Sequence, residues 1–300
     1  MLIKGSCQKQ NLMQVIHDAI LSPGSNWTEI SSNKTNDFKY SGTMTDGWVF
    51  ESPPIGSKQQ RIFLTLKSTN FSQVNTWGTV YMWLADNYVP NATSGQNGTY
   101  TNKSATVISG ILDYYRVDPT TSFDYFIDVL DHRILIVVQQ TSITTTTHPS
   151  WIYIGYPELN TNLEGPNYTN QFILGNIIGW SPTISHVYWR KNSAGVYDQY
   201  ALAKCNLNNS NPTPIGAYLL SPAYITGDSC SAGDPGPLGV LTGIYFMPNT
   251  NIINGDIITI GADTYQVFIT STINNKTNLG TGNIYYYCDL PVVIAIKTNS

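Results

Sequence analysis

The sequence predicts a mainly β protein, with antiparallel sandwich or barrel-like sheets and one short N-terminal α-helix. Three observations predict it. Apolar residues recur with a period of two through most of the chain, the spacing that puts alternate side chains on one face of a strand. Clusters of Gly, Pro, Asn and Asp separate these runs at short intervals. Only one stretch, near the N-terminus, shows helical spacing.

That stretch runs from Lys9 to Leu21, where Leu12, Met13, Val15, Ile16, Ala19 and Ile20 form one stripe. Ser22-Pro23-Gly24 stops it, because proline cannot continue a helix and glycine takes the left-handed exit. The strands follow. Arg61 to Lys67 sets Ile62, Leu64 and Leu66 on one face. Thr79 to Leu84 alternates Val80, Met82 and Leu84 against Tyr81 and Trp83, so both of its faces are expected to be covered. Phe123 to Asp128 and Arg133 to Val138 read as a pair turning through Leu130-Asp131-His132. Trp151 to Tyr156, Gln171 to Asn176, His186 to Arg190 and Val196 to Leu202 are further strands. Asp256 to Ile260 and Thr264 to Ile269 flank Gly261-Ala262-Asp263, a hairpin connection in which glycine supplies the positive φ. Ile284 to Tyr287 and Val292 to Lys297 close the chain, and Pro291 between them suggests an edge or a bend.

Asn87 to Ser104, Thr141 to Pro149, Asn206 to Pro214 and Gly227 to Gly239 read as loops. No repeat of fixed period is present, which removes the argument for a propeller or solenoid. The expected organisation is an N-terminal helix over 1–24, a β-rich region over 25–140 and a second over 150–300, all compatible with one continuous domain. If the chain divides, Thr141 to Pro149 is the expected place.

Charged residues are 11% of the chain, against about 25% in ordinary soluble domains. Asn, Thr, Ser and Tyr replace them. Such a surface stays hydrated through neutral groups, and covering an amide or hydroxyl costs far less than covering an ion. Interfaces are depleted in Lys and Glu and enriched in Tyr and Trp, and this chain has 20 Tyr and 7 Trp. Compositional drift in A/T-rich genes explains the Asn, Ile and Tyr but not the scarcity of Lys. Fifteen Lys and Arg over 300 residues form no basic stripe, so sequence-specific nucleic-acid binding is not expected.

The start, MLIKGSCQKQNLMQVIHDAIL, lacks a long apolar run ahead of a small-residue cleavage site, and no run approaches 18 apolar residues. The expectation is a protein assembled in the cytoplasm and released by lysis, without a membrane span. A mature chain with its leader removed is the competing explanation. Nine N-x-[ST] sequons occur, including Asn91, Asn97 and Asn102, where chance alone gives about six. The cluster suits a glycosylated loop in a eukaryotic or archaeal source and an exposed polar loop otherwise, and the polar start of the chain favours the second.

Residues for chemistry are sparse. Gly227-Asp228-Ser229-Cys230 echoes the setting of a protease serine, but Cys230 stands where a glycine should help form the oxyanion hole and no partner histidine segment precedes it. His17, His132, His148 and His186 are scattered, with none three or four residues from another. His17 reads as a surface histidine and His132 as a turn residue. Asp228 and Asp234 offer oxygens for Ca²⁺, but their spacing is no EF-hand and a solvated loop is the better reading. A glycosidase needs two facing carboxylates, and Asp124, Asp128 and Asp131 cluster. An outward strand face accounts for Asp124 and Asp128. Cys7, Cys205, Cys230 and Cys288 form no C-x-x-C pair; Cys205 and Cys230 lie in loop-like stretches that permit a bridge, with free thiols as the simpler reading. Trp77, Trp151 and Trp180 are candidates for stacking on sugars, or else core and interface anchors. The expectation is no enzyme, no catalytic, metal or cofactor residues, and no cofactor.

Two segments carry a family resemblance. One is the short helix followed by Asn26 to Ile30, then Asp46 to Ser52 leading into Arg61 to Lys67. The other is Leu241 to Pro248 followed by Asp256 to Phe268. Both are similar to structural proteins of tailed bacteriophages, particularly tail, baseplate or neck components. The likeness covers about a fifth of the chain. It implies a β-rich virion subunit present in several copies, with other virion proteins and copies of itself as partners, and it offers no active-site residues. A receptor- or carbohydrate-binding virion protein is the alternative, and a tail-associated hydrolase the next.

Overall fold

A computed structural model describes residues 2–31, 47–56, 59–69, 79–93, 96, 98–101, 103, 107–109, 118–142, 149–159, 172–175, 187–188, 200–202, 220–227, 237–247, 252–269 and 293–298. In chain order the elements are β1 (Leu2–Gln8), a 3-10 turn (Lys9–Asn11), α1 (Leu12–Ile20), β2 (Thr28–Glu29), β3 (Trp48–Glu51), β4 (Phe63–Thr69) and β5 (Thr79–Ala85). There follow β6 (Asn87–Val89), β7 (Thr99–Thr101), β8 (Val107–Ser109), β9 (Ser122–Leu130), β10 (Arg133–Gln140), β11 (Ser150–Gly155), β12 (Glu158–Leu159) and β13 (Phe172–Gly175). The last are β14 (Val187–Tyr188), β15 (Tyr200–Leu202), β16 (Ser221–Gly227), β17 (Pro237–Met247), β18 (Ile257–Ile260), β19 (Asp263–Ile269) and β20 (Val293–Lys297). The fold is mainly β and antiparallel, with one short N-terminal helix. Its described sheets are open, and none closes into a barrel.

The chain divides into two compact units. One joins Met1–Pro157 to Gly165–Gln199, and the other joins Glu158–Glu164 to Tyr200–Ser300. The division expected at Thr141 to Pro149 does not fall there. β10 and β11, on either side of that stretch, pair from Arg133↔Gly155 to Val138↔Ser150, so the strands flanking it belong to one sheet. Residues 1–24 do not stand apart either. Leu2 to Gln8 carries no apolar alternation, yet it forms β1 along β9, from Leu2↔Asp128 to Gln8↔Ser122.

In the first unit one sheet has the order β1-β9-β10-β11-β13-β14 and a second the order β2-β3-β4-β5-β8. α1 contributes Leu12, Met13, Ile16, Ala19 and Ile20 to a core shared with both sheets. The expected stop holds in detail. Gly24 takes φ +93°, while the Ser22 and Ser25 hydroxyls donate to the Ala19 and Ile20 carbonyls, satisfying acceptors that the helix end leaves open. Ile62, Leu64, Leu66, Met82 and Leu84 face this core, and Trp83 is buried on the opposite face, so β5 is covered on both sides. β10 is covered on both sides too: Ile134, Ile136 and Val138 face the shared core, and Leu135 and Val137 are buried behind them. Within the expected loop Asn87 to Ser104, β6 and β7 pair as a short ribbon, with Tyr88 opposite Tyr100.

The second unit has the sheet order β15-β16-β17-β20-β19-β18, with β12 also on β17. Met247, Tyr265, Val267, Val293 and Ala295 form one buried cluster, and Ile244, Phe246, Phe268 and Ile294 are buried as well. The edge position suggested by Pro291 fails for the strand that follows it, since β20 is paired on both sides, with β17 and β19. The stretch Gly227 to Gly239, expected to be irregular, contains strand at both ends, because β16 reaches Gly227 and β17 begins at Pro237. Ile284 to Tyr287 and Asn206 to Pro214 lie outside the described residues.

Candidate interaction edge

The β18–β19 hairpin forms where the sequence places it. Ile260 and Asp263 are the pair beside the turn, and Gly261 takes φ +62° in open space. The approach to β18 is fixed by polar side chains: the Asp256 carboxylate accepts from the Ile253 N–H at 2.8 Å, and the Asn254 amide oxygen accepts from the Ile269 N–H at 2.9 Å. On the inner side Tyr265 meets Tyr245 edge-to-face at 5.3 Å, and burial pushes its phenol up to about 12, followed by the influence of Tyr245 and Asp263. Asp263 is held below the usual carboxylate range, first by a hydrogen bond from Lys297, whose ammonium lies 2.8 Å away.

The outer side is different. Among the described residues β18 ends the sheet order, and Ile253, Ile257 and Ile260 are 73%, 65% and 44% exposed. Natural edge strands are usually blunted by charge, proline or a bulge. Ile257-Ile258-Thr259-Ile260 has no charge and no proline, and its pairing with β19 is regular. Three exposed isoleucines around one uncharged edge make a surface suited to being covered.

No protein-family model matches the chain. No curated protein matches its sequence either. The functional reading therefore rests on the residues themselves.

The residues singled out for chemistry are placed separately. Asp124 accepts from the Ser6 and Thr141 hydroxyls, Asp128 pairs with Arg133 at 2.7 Å, and Asp131 accepts from the Asn26 amide at 2.9 Å. Asp128 is not on an outward face as expected: it is buried, and so is Arg133. The Arg133 Nε and Nη1 atoms have no hydrogen-bond partner among the described residues. Trp151 is 3% exposed on β11, which places it with the anchors and removes it as a stacking platform.

His17 is not the surface histidine that its neighbour Asp18 suggested. Its ring lies 4.9 Å from Trp48 and 5.6 Å from Phe50, with Nδ1 2.9 Å from Asp18 and Nε2 3.4 Å from Glu29. It fastens α1 to β2 and β3. A pairing to a residue twelve positions away could not be read from spacing. His132 sits in the turn as expected, half-buried, and burial lowers its pKa, with Arg133 adding and Asp131 and Asp128 opposing. Burial pushes the Cys7 thiol up to about 11, helped by Asp124, so it stays a protonated thiol at neutral pH. Among the described residues no group of three His, Cys, Asp or Glu is placed to hold a metal ion, and no helix is long and apolar enough to cross a membrane. His148, His186, Cys205, Cys230, Cys288, Asp228, Ser229, Asp234, Trp77 and Trp180 lie outside the described residues.

Proposed function

We propose that this chain is a structural subunit of a phage virion, of the tail, baseplate or neck, joined to its neighbours through β-sheet edges and aromatic surfaces. The observation that carries the proposal is the edge at β18, where three exposed isoleucines surround an uncharged strand. The composition supports the same reading. With charged residues at 11%, little of the surface resists being covered by another protein. The two segments similar to tailed-phage structural proteins add to it, and β18 and β19 lie in the second of them. The proposal assigns the chain no catalytic step. Its partners are other virion proteins and further copies of itself, and its place is the particle, assembled in the host cytoplasm.

Imaging of intact particles tests this directly. The expected result is the chain in repeated copies, with the β18 edge against a neighbour. A free monomer that turns over cell-wall polymer would contradict the proposal.

A further inference from the structure

The two-residue loop determines which backbone groups of β18 face outward. Ile260 and Asp263, beside Gly261-Ala262, form a hydrogen-bonded pair, and such pairs alternate along an antiparallel ladder, so Ile258 and Tyr265 form the next. The Val267 N–H donates to the Asp256 carbonyl at 2.9 Å, which keeps the same phase. The N–H and C=O of Ile257 and of Thr259 therefore point away from β19, and both residues are exposed.

We propose that this edge pairs with β18 of a second copy of the chain, antiparallel about a twofold axis at Ile258. In that register Ile257 lies opposite Thr259 of the second copy, and Thr259 opposite its Ile257, closing four backbone hydrogen bonds. Ile258 meets its own equivalent, and Ile260 lies opposite Asp256. Two outward donors and two outward acceptors set symmetrically about one residue are their own complement under a twofold operator. No like charges oppose each other, since Asp256 is the only ionised group from Asp256 to Ile260 and it faces an isoleucine. The edge strand β1 contrasts with it, because Lys4 stands exposed at its middle. So short a contact needs a high local concentration, and here the inference rests on the reading of the chain as a multi-copy subunit.

Disulfide trapping in the full-length chain, held at roughly millimolar concentration so that a contact this short is populated, tests the register. An antiparallel non-hydrogen-bonded pair brings Cα atoms to about 4.5 Å, within disulfide reach. Ile258→Cys is expected to give a covalent dimer under mild oxidation, well above the background of the wild type with its four native cysteines. Adding Thr259→Pro removes an outward N–H without touching the β19 ladder and is expected to lower the yield about tenfold. Because Ile258 is half-buried, a second pair of variants uses exposed positions: Ile257→Cys chains mixed with Thr259→Cys chains should cross-link far more than either alone. Folding of each variant is checked by circular dichroism. A mixture that cross-links no better than its components overturns the proposal, as does a dimer indifferent to Thr259→Pro. The cross-link is read on the isolated chain, whereas the subunit reading is decided in particles, so either can fail without the other.

Discussion

The β9–β10 hairpin and the β18–β19 hairpin both turn in two residues, Asp131-His132 in one and Gly261-Ala262 in the other. The first lies inside its sheet, with β1 on one side and β11 on the other, and both faces of β10 are buried. The second ends its sheet, and β18 presents exposed isoleucines. Their ion pairs differ in the same way. Asp128–Arg133 is 10% and 4% exposed, and Asp263–Lys297 is 41% and 32% exposed. Similar local chemistry thus serves two ends. In the first hairpin it sits within a covered part of the fold, and in the second it lies at an exposed edge.

Substitutions matched between the hairpins sharpen the contrast, and the largest effects are expected in the first. Phe123→Ala, at a fully buried position, should cost about 3–5 kcal/mol in chemical denaturation, whereas Ile257→Ala should stay within about 0.5 kcal/mol. Equal losses would mean that β18 is part of an interior. Asp128→Ala should cost about 3–5 kcal/mol, because it strands the Arg133 guanidinium in a dry site. Asp263→Ala should leave the transition where it is, and an Asp128→Leu, Arg133→Met double variant should recover much of the first loss.

The glycines extend the comparison. Gly155 has φ +135°, and a Cβ there would run into the His132 carbonyl and the Arg133 backbone. Gly155→Ala should cost on the order of 3 kcal/mol. Gly261 also has positive φ, but a Cβ there would meet open space, so Gly261→Ala should cost about 1 kcal/mol. Melting curves of the two variants that coincide would remove this distinction.

The smallest effect is in pH. Burial lowers the His132 pKa in the folded chain, so the unfolded chain binds that proton more readily. The contribution of His132 is therefore whole above the unfolded value of about 6.5 and is lost as pH falls from there through the folded value. His132→Gln should flatten that part of the stability profile, seen as a smaller drop in Tm between pH 7 and 5.

Much of this was legible in the sequence where side-chain period and turn chemistry agreed. The helix, the paired strands around Asp131-His132 and the hairpin at Gly261 followed from spacing and from residues that tolerate the required φ. β1 was not legible, because Leu2 to Gln8 has no alternation and is held as strand by its ladder with β9. The burial of Asp128 was hidden for a related reason. Its partner Arg133 lies across a turn, and a charge alternating with apolar neighbours looks the same whether it meets water or a guanidinium. His17 taught the same lesson, since Glu29, Trp48 and Phe50 reach it only through tertiary packing. The candidate edge was half legible. Its strand and turn could be read, but its place at the end of a sheet depends on where β20 inserts, and that is a matter of topology.

Amide hydrogen exchange of the isolated chain and of the assembled particle tests the central claim most directly. The outward amides of Ile257 and Thr259 should exchange rapidly in the isolated chain and become protected on assembly, while those of Ile134 to Val138 stay slow in both. Amides at Ile257 and Thr259 that exchange equally fast in the particle would contradict the claim that this edge exists to be covered.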